Sequence, residues 1–136
     1  VSTPPADRYA QHLGIDVVGH GGGRAESTVT VTEDHLNPHD TTHGAFVFAV
    51  VGTAVAAAAN DAEHTGVASS IHIDYLRPTR LGDRLHAEAS VAERLPKEDI
   101  FTVRVTDGTG RIVARATARF NRRARAAEHT TPAADR

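Results

Sequence analysis

Between Gly44 and Ala59 the sequence reads GAFVFAVVGTAVAAAA, without one charged side chain, and no other stretch restricts the possible folds as much. A surface helix has an apolar stripe and a wet face, whereas a helix apolar all the way round needs cover on every side. The run is shorter and richer in alanine than a bilayer span, which takes about 20 strongly apolar residues. The rest of the chain must therefore supply the cover.

The second half is patterned to do so. Leu85, Ala87, Ala89 and Val91 share one face of an extended RLHAEASVA; Phe101, Val103 and Val105 do so in IFTVRV; Ile112, Ala114, Ala116, Ala118 and Phe120 do so in RIVARATARF. Alternation with period two marks strands with one wet side. Asp107-Gly108-Thr109-Gly110 contains residues that tolerate positive φ, which predicts an antiparallel hairpin between the last two strands. VASSIHIDYL, ended by Pro78, is a further strand, and GIDVV and ESTVTVT, separated by GHGGGR, form a hairpin near the start. The expected fold is α+β, an antiparallel sheet wrapped around a long central helix, with small residues allowing sheet and helix to approach closely.

A chain of 136 residues buries one core and is too short for two comfortable domains. We read a single domain over 1–122. Its N-terminal region, 1–14, carries a short helix capped by Thr3 and stopped by Gly14, with Tyr9, Ala10 and Leu13 on one face. The tail 123–136 has no periodicity and is expected to be disordered. A net charge of -2 without a basic block argues against nucleic acid as a partner. The absence of cysteine excludes disulfides, thiolate metal sites and a cysteine nucleophile. No signal-peptide pattern precedes the apolar run, and the expectation is a cytoplasmic protein without membrane association.

NPHDTTHGAFVF, then Thr53, Ala54 and Asn60, then VASSIHIDYLRPTRLGD resemble the PaaI-like phenylacetyl-CoA thioesterases of the hotdog superfamily. The resemblance spans roughly residues 13–122. It implies the hotdog fold, homodimers that pair into homotetramers, and hydrolysis of acyl-CoA thioesters, with coenzyme A entering as part of the substrate and no separate cofactor. It also implies roles: Gly44 offers its backbone N–H to the thioester carbonyl, Asn37 shapes the site, His43 is the histidine of an HGG motif, and an aspartate near mid-helix acts as nucleophile or base. Eight residues beyond Gly44, where that aspartate is expected, stands Gly52.

Thioester hydrolysis builds negative charge on the carbonyl oxygen, and a helix N-terminus presents unpaired, partly positive N–H donors to it. Residues 44 and 52 of one helix lie about 12 Å apart, so a complete site needs a second helix alongside and hence an oligomer. General base catalysis supplies roughly 10²- to 10⁴-fold, which a glycine at 52 forgoes. The glycine is explained by an inactive site, by room for a bulkier acyl group with the base relocated, or by different chemistry. Asp40 and His39 are the candidate relocated bases, with Asp40 alternatively capping the helix; Thr53 is a candidate donor that equally suits a bond back into its own helix. Ala45 replaces the second glycine of the HGG motif, and Ser69 and Ser70 follow Ala68 at a position where some relatives hold a water-orienting serine. Arg77, Arg80 and Arg84 suit the phosphates of CoA. His35, His39 and His43 recur at every fourth position, but Pro38 interrupts the helix that would align them, so no metal is expected. Two further readings stay open: a non-hydrolytic hotdog protein that binds thioesters or a related ligand, and a dehydratase or isomerase acting on an acyl thioester.

Overall fold

The computed structural model describes residues 6–125. Helix α1 (Arg8–Leu13) is capped by Asp7, whose carboxylate accepts the Ala10 N–H at 2.9 Å, and it closes at Gly14 with φ 77°. The cap is therefore Asp7; Thr3 lies outside the described residues. Strands β1 (Asp16–Gly21) and β2 (Arg24–Thr30) form the expected antiparallel hairpin. A 3-10 turn over Glu33–His35 and an irregular loop lead into α2, Gly44–Ala59. Then come β3 (His64–Thr65), β4 (Ala68–Tyr75), β5 (Arg84–Arg94), β6 (Glu98–Thr106), β7 (Ile112–Asn121) and β8 (Arg123–Ala124).

Six strands make one fully antiparallel sheet in the order β1-β2-β5-β6-β7-β4, and β3 pairs with β8. This is the hotdog architecture. Ordered chain thus runs past residue 122, because Arg123 and Ala124 pair with Thr65 and His64; residues 126–136 lie outside the described residues. No helix among the described residues is long and apolar enough to cross a membrane.

The sheet curls about α2. Val50, Val51, Ala54 and Val55 are completely buried, as are Leu85, Ala87, Phe101, Val105, Ala114 and Ala118 on the strands. Each large aliphatic or aromatic side chain so removed from water contributes roughly 1.5–3 kcal/mol. Alanines on the inner faces of β5 and β7 bring the sheet close, and the Ser27 hydroxyl reaches the helix itself, donating to the Val50 carbonyl at 2.7 Å. Buried Asp99 is held by Arg94 at 2.8 Å and by Arg122. In the β6–β7 turn Asp107 accepts from the Thr109 hydroxyl and from the N–H groups of Thr109 and Arg111. These bonds, the hydroxyl's first, hold its carboxyl down to about 2.

Cover of α2 is not complete within one chain. Ala45, Phe48, Gly52 and Ala56 fall on one side of the helix, and Phe48 is 39% exposed, so an apolar stripe remains open. Strand β4 ends the sheet on one side.

The β1–β2 turn shows where glycine is obligatory. Gly21, Gly22 and Gly23 have φ of 74°, 64° and 76°, and a Cβ on Gly23 would stand 2.7 Å from Val91 Cγ1, whereas one on Gly22 would meet nothing within 4 Å. Gly23→Ala combines left-handed backbone strain with overpacking and should cost about 2 kcal/mol or more. Gly22→Ala should cost about 1 kcal/mol from strain alone. Urea unfolding of the two variants checks the difference; equal losses would mean that the Val91 contact relaxes freely.

Candidate active site

The start of α2 is built by side chains that sequence patterning did not assign to that task. His43 is the N-cap: its backbone is extended (φ -62°, ψ 134°) and its Nδ1 accepts the Ala45 N–H at 2.9 Å, while its carbonyl accepts from Phe46 and Val47. Asp40 is therefore not the cap; it is exposed, at φ 61° in the loop. With Ala45, Phe46 and Val47 satisfied in this way, the Gly44 N–H has no acceptor among the described residues. It sits at the positive end of the helix dipole.

Three contacts fix this helix end. Tyr75, on β4, donates its hydroxyl to the Gly44 carbonyl at 2.9 Å, and its ring lies where a Cβ on Gly44 would come within 3.4 Å. Buried Thr42 and Thr79 join the lead-in loop to the β4–β5 connection, with their hydroxyls 2.7 Å apart and the Thr42 N–H on the Thr79 carbonyl at 2.8 Å. His35 is also buried. It accepts the Thr32 N–H on Nδ1 at 2.9 Å, which leaves Nε2 as the protonated nitrogen that donates to Leu13 O at 3.0 Å, and it stacks on Phe46 with centroids 3.6 Å apart. Both ring nitrogens are thereby occupied. His35, His39 and His43 do not converge on a common point; the only described group of three or more potential metal ligands lies elsewhere.

Asn37 organises the loop. Its side-chain oxygen accepts from His39 N at 2.8 Å and Thr41 N at 3.2 Å, and its amide donates to the Thr41 hydroxyl at 2.7 Å. Asn37, His39, Asp40 and Arg80 line one depression of about 630 Å³ with Glu33, Leu36 and Leu81. Gly44 and Arg77 line another of about 320 Å³, with Tyr75 and Val47. Gly52 and Thr53 lie two turns further along α2. Gly52 is half-exposed and a Cβ there would meet no atom within 4 Å. The Thr53 hydroxyl donates to Val50 O at 3.2 Å, so it bonds into its own helix. Thr53, Ala56, Ala57 and Asn60 form one wall of a groove of about 750 Å³, with α1 and Ile15–Val17 opposite; sequence reasoning had no signal for it, because it arises from how α1 docks.

The remaining candidates are dispersed. Ser69 is exposed on β4 and donates to Arg119 O at 3.1 Å, and Arg84 donates to the Thr30 hydroxyl at 3.1 Å. Arg77 donates to Ile112 O at 2.8 Å yet is exposed. Asp61 is half-buried in a tight turn. Burial pushes its carboxyl up, but the N–H groups of Glu63 and His64 outweigh this, and the net shift is downward. Asn60 clamps the helix end by donating to Ala56 O and Gly66 O and accepting from Gly66 N.

Known proteins share the fold and much of the sequence. The Thioesterase superfamily model matches residues 39–114. Acyl-coenzyme A thioesterase PaaI of Escherichia coli is 36% identical over 79% of this chain and 77% of its own length. The structure of the E. coli PaaI protein from the phenylacetic acid degradation operon superposes with a TM-score of 0.81 at 34% identity, covering 86% of this chain and 85% of that one. The TT0310 protein of Thermus thermophilus does so at 0.80 and 32%, over 86% of this chain and 98% of its own. By the extent of the family match, the identity and the shared architecture, the chain belongs to the PaaI-like hotdog branch of the thioesterase superfamily.

Proposed function

We propose that the chain hydrolyses acyl-CoA thioesters, with aryl-acetyl or medium acyl groups as its substrates, and that its turnover is limited by glycine at position 52. The observation that carries this reading is the Gly44 N–H, left without an acceptor among the described residues at the head of α2, on a residue that lines a pocket beside Tyr75. An oxyanion forming there is stabilised by a donor that needs no reorganisation. His43 and Tyr75 hold that donor in place through the Ala45 N–H and the Gly44 carbonyl. Asn37 keeps the loop's shape, and Arg77 and Arg80 are the cations available to the CoA phosphates.

The other half of the site belongs to a second protomer. Positions 44 and 52 are about 12 Å apart along the axis, while the stripe of Ala45, Phe48, Gly52 and Ala56 is apolar and open. Laying two such helices side by side and antiparallel would put position 52 of one within reach of residue 44 of the other, in a homodimer that pairs further into a homotetramer. Glycine at 52 also supports a second reading, in which the assembly binds thioesters without cleaving them.

The deciding experiment incubates the protein with phenylacetyl-CoA and a thiol reagent, with light scattering to give the oligomeric state. Release of CoA above the uncatalysed rate is expected from an assembly of at least two chains. Saturable binding without release selects the second reading, and a changed acyl group on an intact thioester points to dehydratase or isomerase chemistry. A monomer that hydrolyses the substrate would remove the two-helix site.

A further inference from the structure

On the sheet face turned away from α2, the strand register sets Glu26 of β2 directly opposite Glu88 of β5. Like charges at such a position repel, so the pair needs a cation. Two histidines converge on it. The His86 ring lies between the carboxylates, with Nε2 2.6 Å from Glu26 Oε1 and Nδ1 3.6 Å from Glu88 Oε1, and His20 Nε2 bonds the other oxygen of Glu26. His20 reaches this point because the β1–β2 pairing is irregular between Gly19 and Gly21, a bulge of the kind that re-aims a side chain.

We propose that Glu26, His86 and Glu88 form a binding site for a divalent transition-metal ion of the zinc type, with His20 orienting the Glu26 carboxylate. One ligand atom from each of the three lies within 4.8 Å of the others. Nitrogen and oxygen ligands about 2.0–2.2 Å from a tetrahedral ion stand about 3.3 Å from one another, so the ligands need to shift by no more than side-chain adjustments. The site therefore keeps an open coordination position for water or an exogenous ligand. A hydrogen bond from His20 to the carboxylate oxygen left free is the kind of outer contact that fixes a ligand's orientation. Arg24 lies in the adjoining depression with His20, Glu26 and Glu88, and Arg104 stands opposite Glu88 on β6; these are the charges with which the ion competes. Residues from separate strands make the site, which is why no spacing in the sequence announces it.

The test uses the full-length, untagged protein. Titration with Co²⁺ at neutral pH should give saturable visible d–d absorption at one ion per chain, which Zn²⁺ displaces, and Zn²⁺ should raise the thermal midpoint. Glu26→Gln and His86→Gln should each weaken Zn²⁺ binding by about tenfold or more, whereas His72→Gln, at an exposed His–Asp pair on β4, should leave it unchanged. Circular dichroism verifies folding of the variants. Should one of them not fold, anomalous scattering from zinc-soaked crystals of the unaltered protein decides, with a peak between residues 26, 86 and 88 expected. The proposal is overturned by an absence of saturable binding, by binding undiminished in the folded variants, or by a peak placed elsewhere.

Discussion

Gly52→Asp should raise phenylacetyl-CoA hydrolysis by at least about tenfold, at the lower edge of what a positioned general base supplies. The helix already aims the position at open space, since a Cβ there meets no atom of its own chain within 4 Å. Replacing a mid-helix glycine removes part of its intrinsic helix penalty of about 1 kcal/mol, so the fold of the protomer is not expected to lose stability, and light scattering checks that the assembly survives the added carboxylate. The gain should appear in kcat, because the added carboxylate acts on the attacking water rather than on the bound CoA. Rates measured against pH provide the check: the gain should follow ionisation of a single acid and vanish when it is protonated. A folded, oligomeric variant with no gain at any pH would show that position 52 is not where the reaction takes its base, and Asp40 and His39 would be the next groups to replace.

The second large effect concerns folding. His35→Ala should destabilise the protein by about 3 kcal/mol, with a fall of roughly 10 °C in the thermal midpoint. The ring makes two hydrogen bonds, to Thr32 N and Leu13 O, and stacks on Phe46 with an interplanar angle of 8°. Each buried polar group left unpaired costs about 1–3 kcal/mol, and the stack adds about 0.5–1.5 kcal/mol. His35→Phe separates the contributions, because it keeps the ring contact and loses both bonds. Its stability should fall between those of the parent and the alanine variant. Two equally unstable variants would assign the whole effect to hydrogen bonding.

His35 also shows what a sequence conceals. Its spacing from His39 and His43 hinted at a metal, yet the ring is buried against Phe46 and spends both nitrogens on backbone groups, one of them 22 residues away. The fold itself was legible, because a helix without a wet face and strands alternating through Leu85–Val91 and Ile112–Phe120 leave few other arrangements. The loop motif marked Gly44 correctly as a helix start. The cap escaped notice, since His43 fills a role that usually goes to Ser, Thr, Asp or Asn. Tyr75 was visible only as a strand residue. Its bond to Gly44 joins positions 31 apart, and pairings at that range follow from sheet curvature, which local pattern does not encode. The groove beside Thr53 comes from the docking of α1 and the Glu26–His86–Glu88 cluster from strand register, which local pattern encodes no better.

The side of α2 that its own sheet leaves bare is also the side that carries position 52. Substitutions there leave the protomer's own hydrophobic interior untouched, so the proposed dependence of hydrolysis on position 52 can be varied without disturbing the fold of the chain. Under the proposed function, a lineage could pass between hydrolase and mere receptor through a single codon.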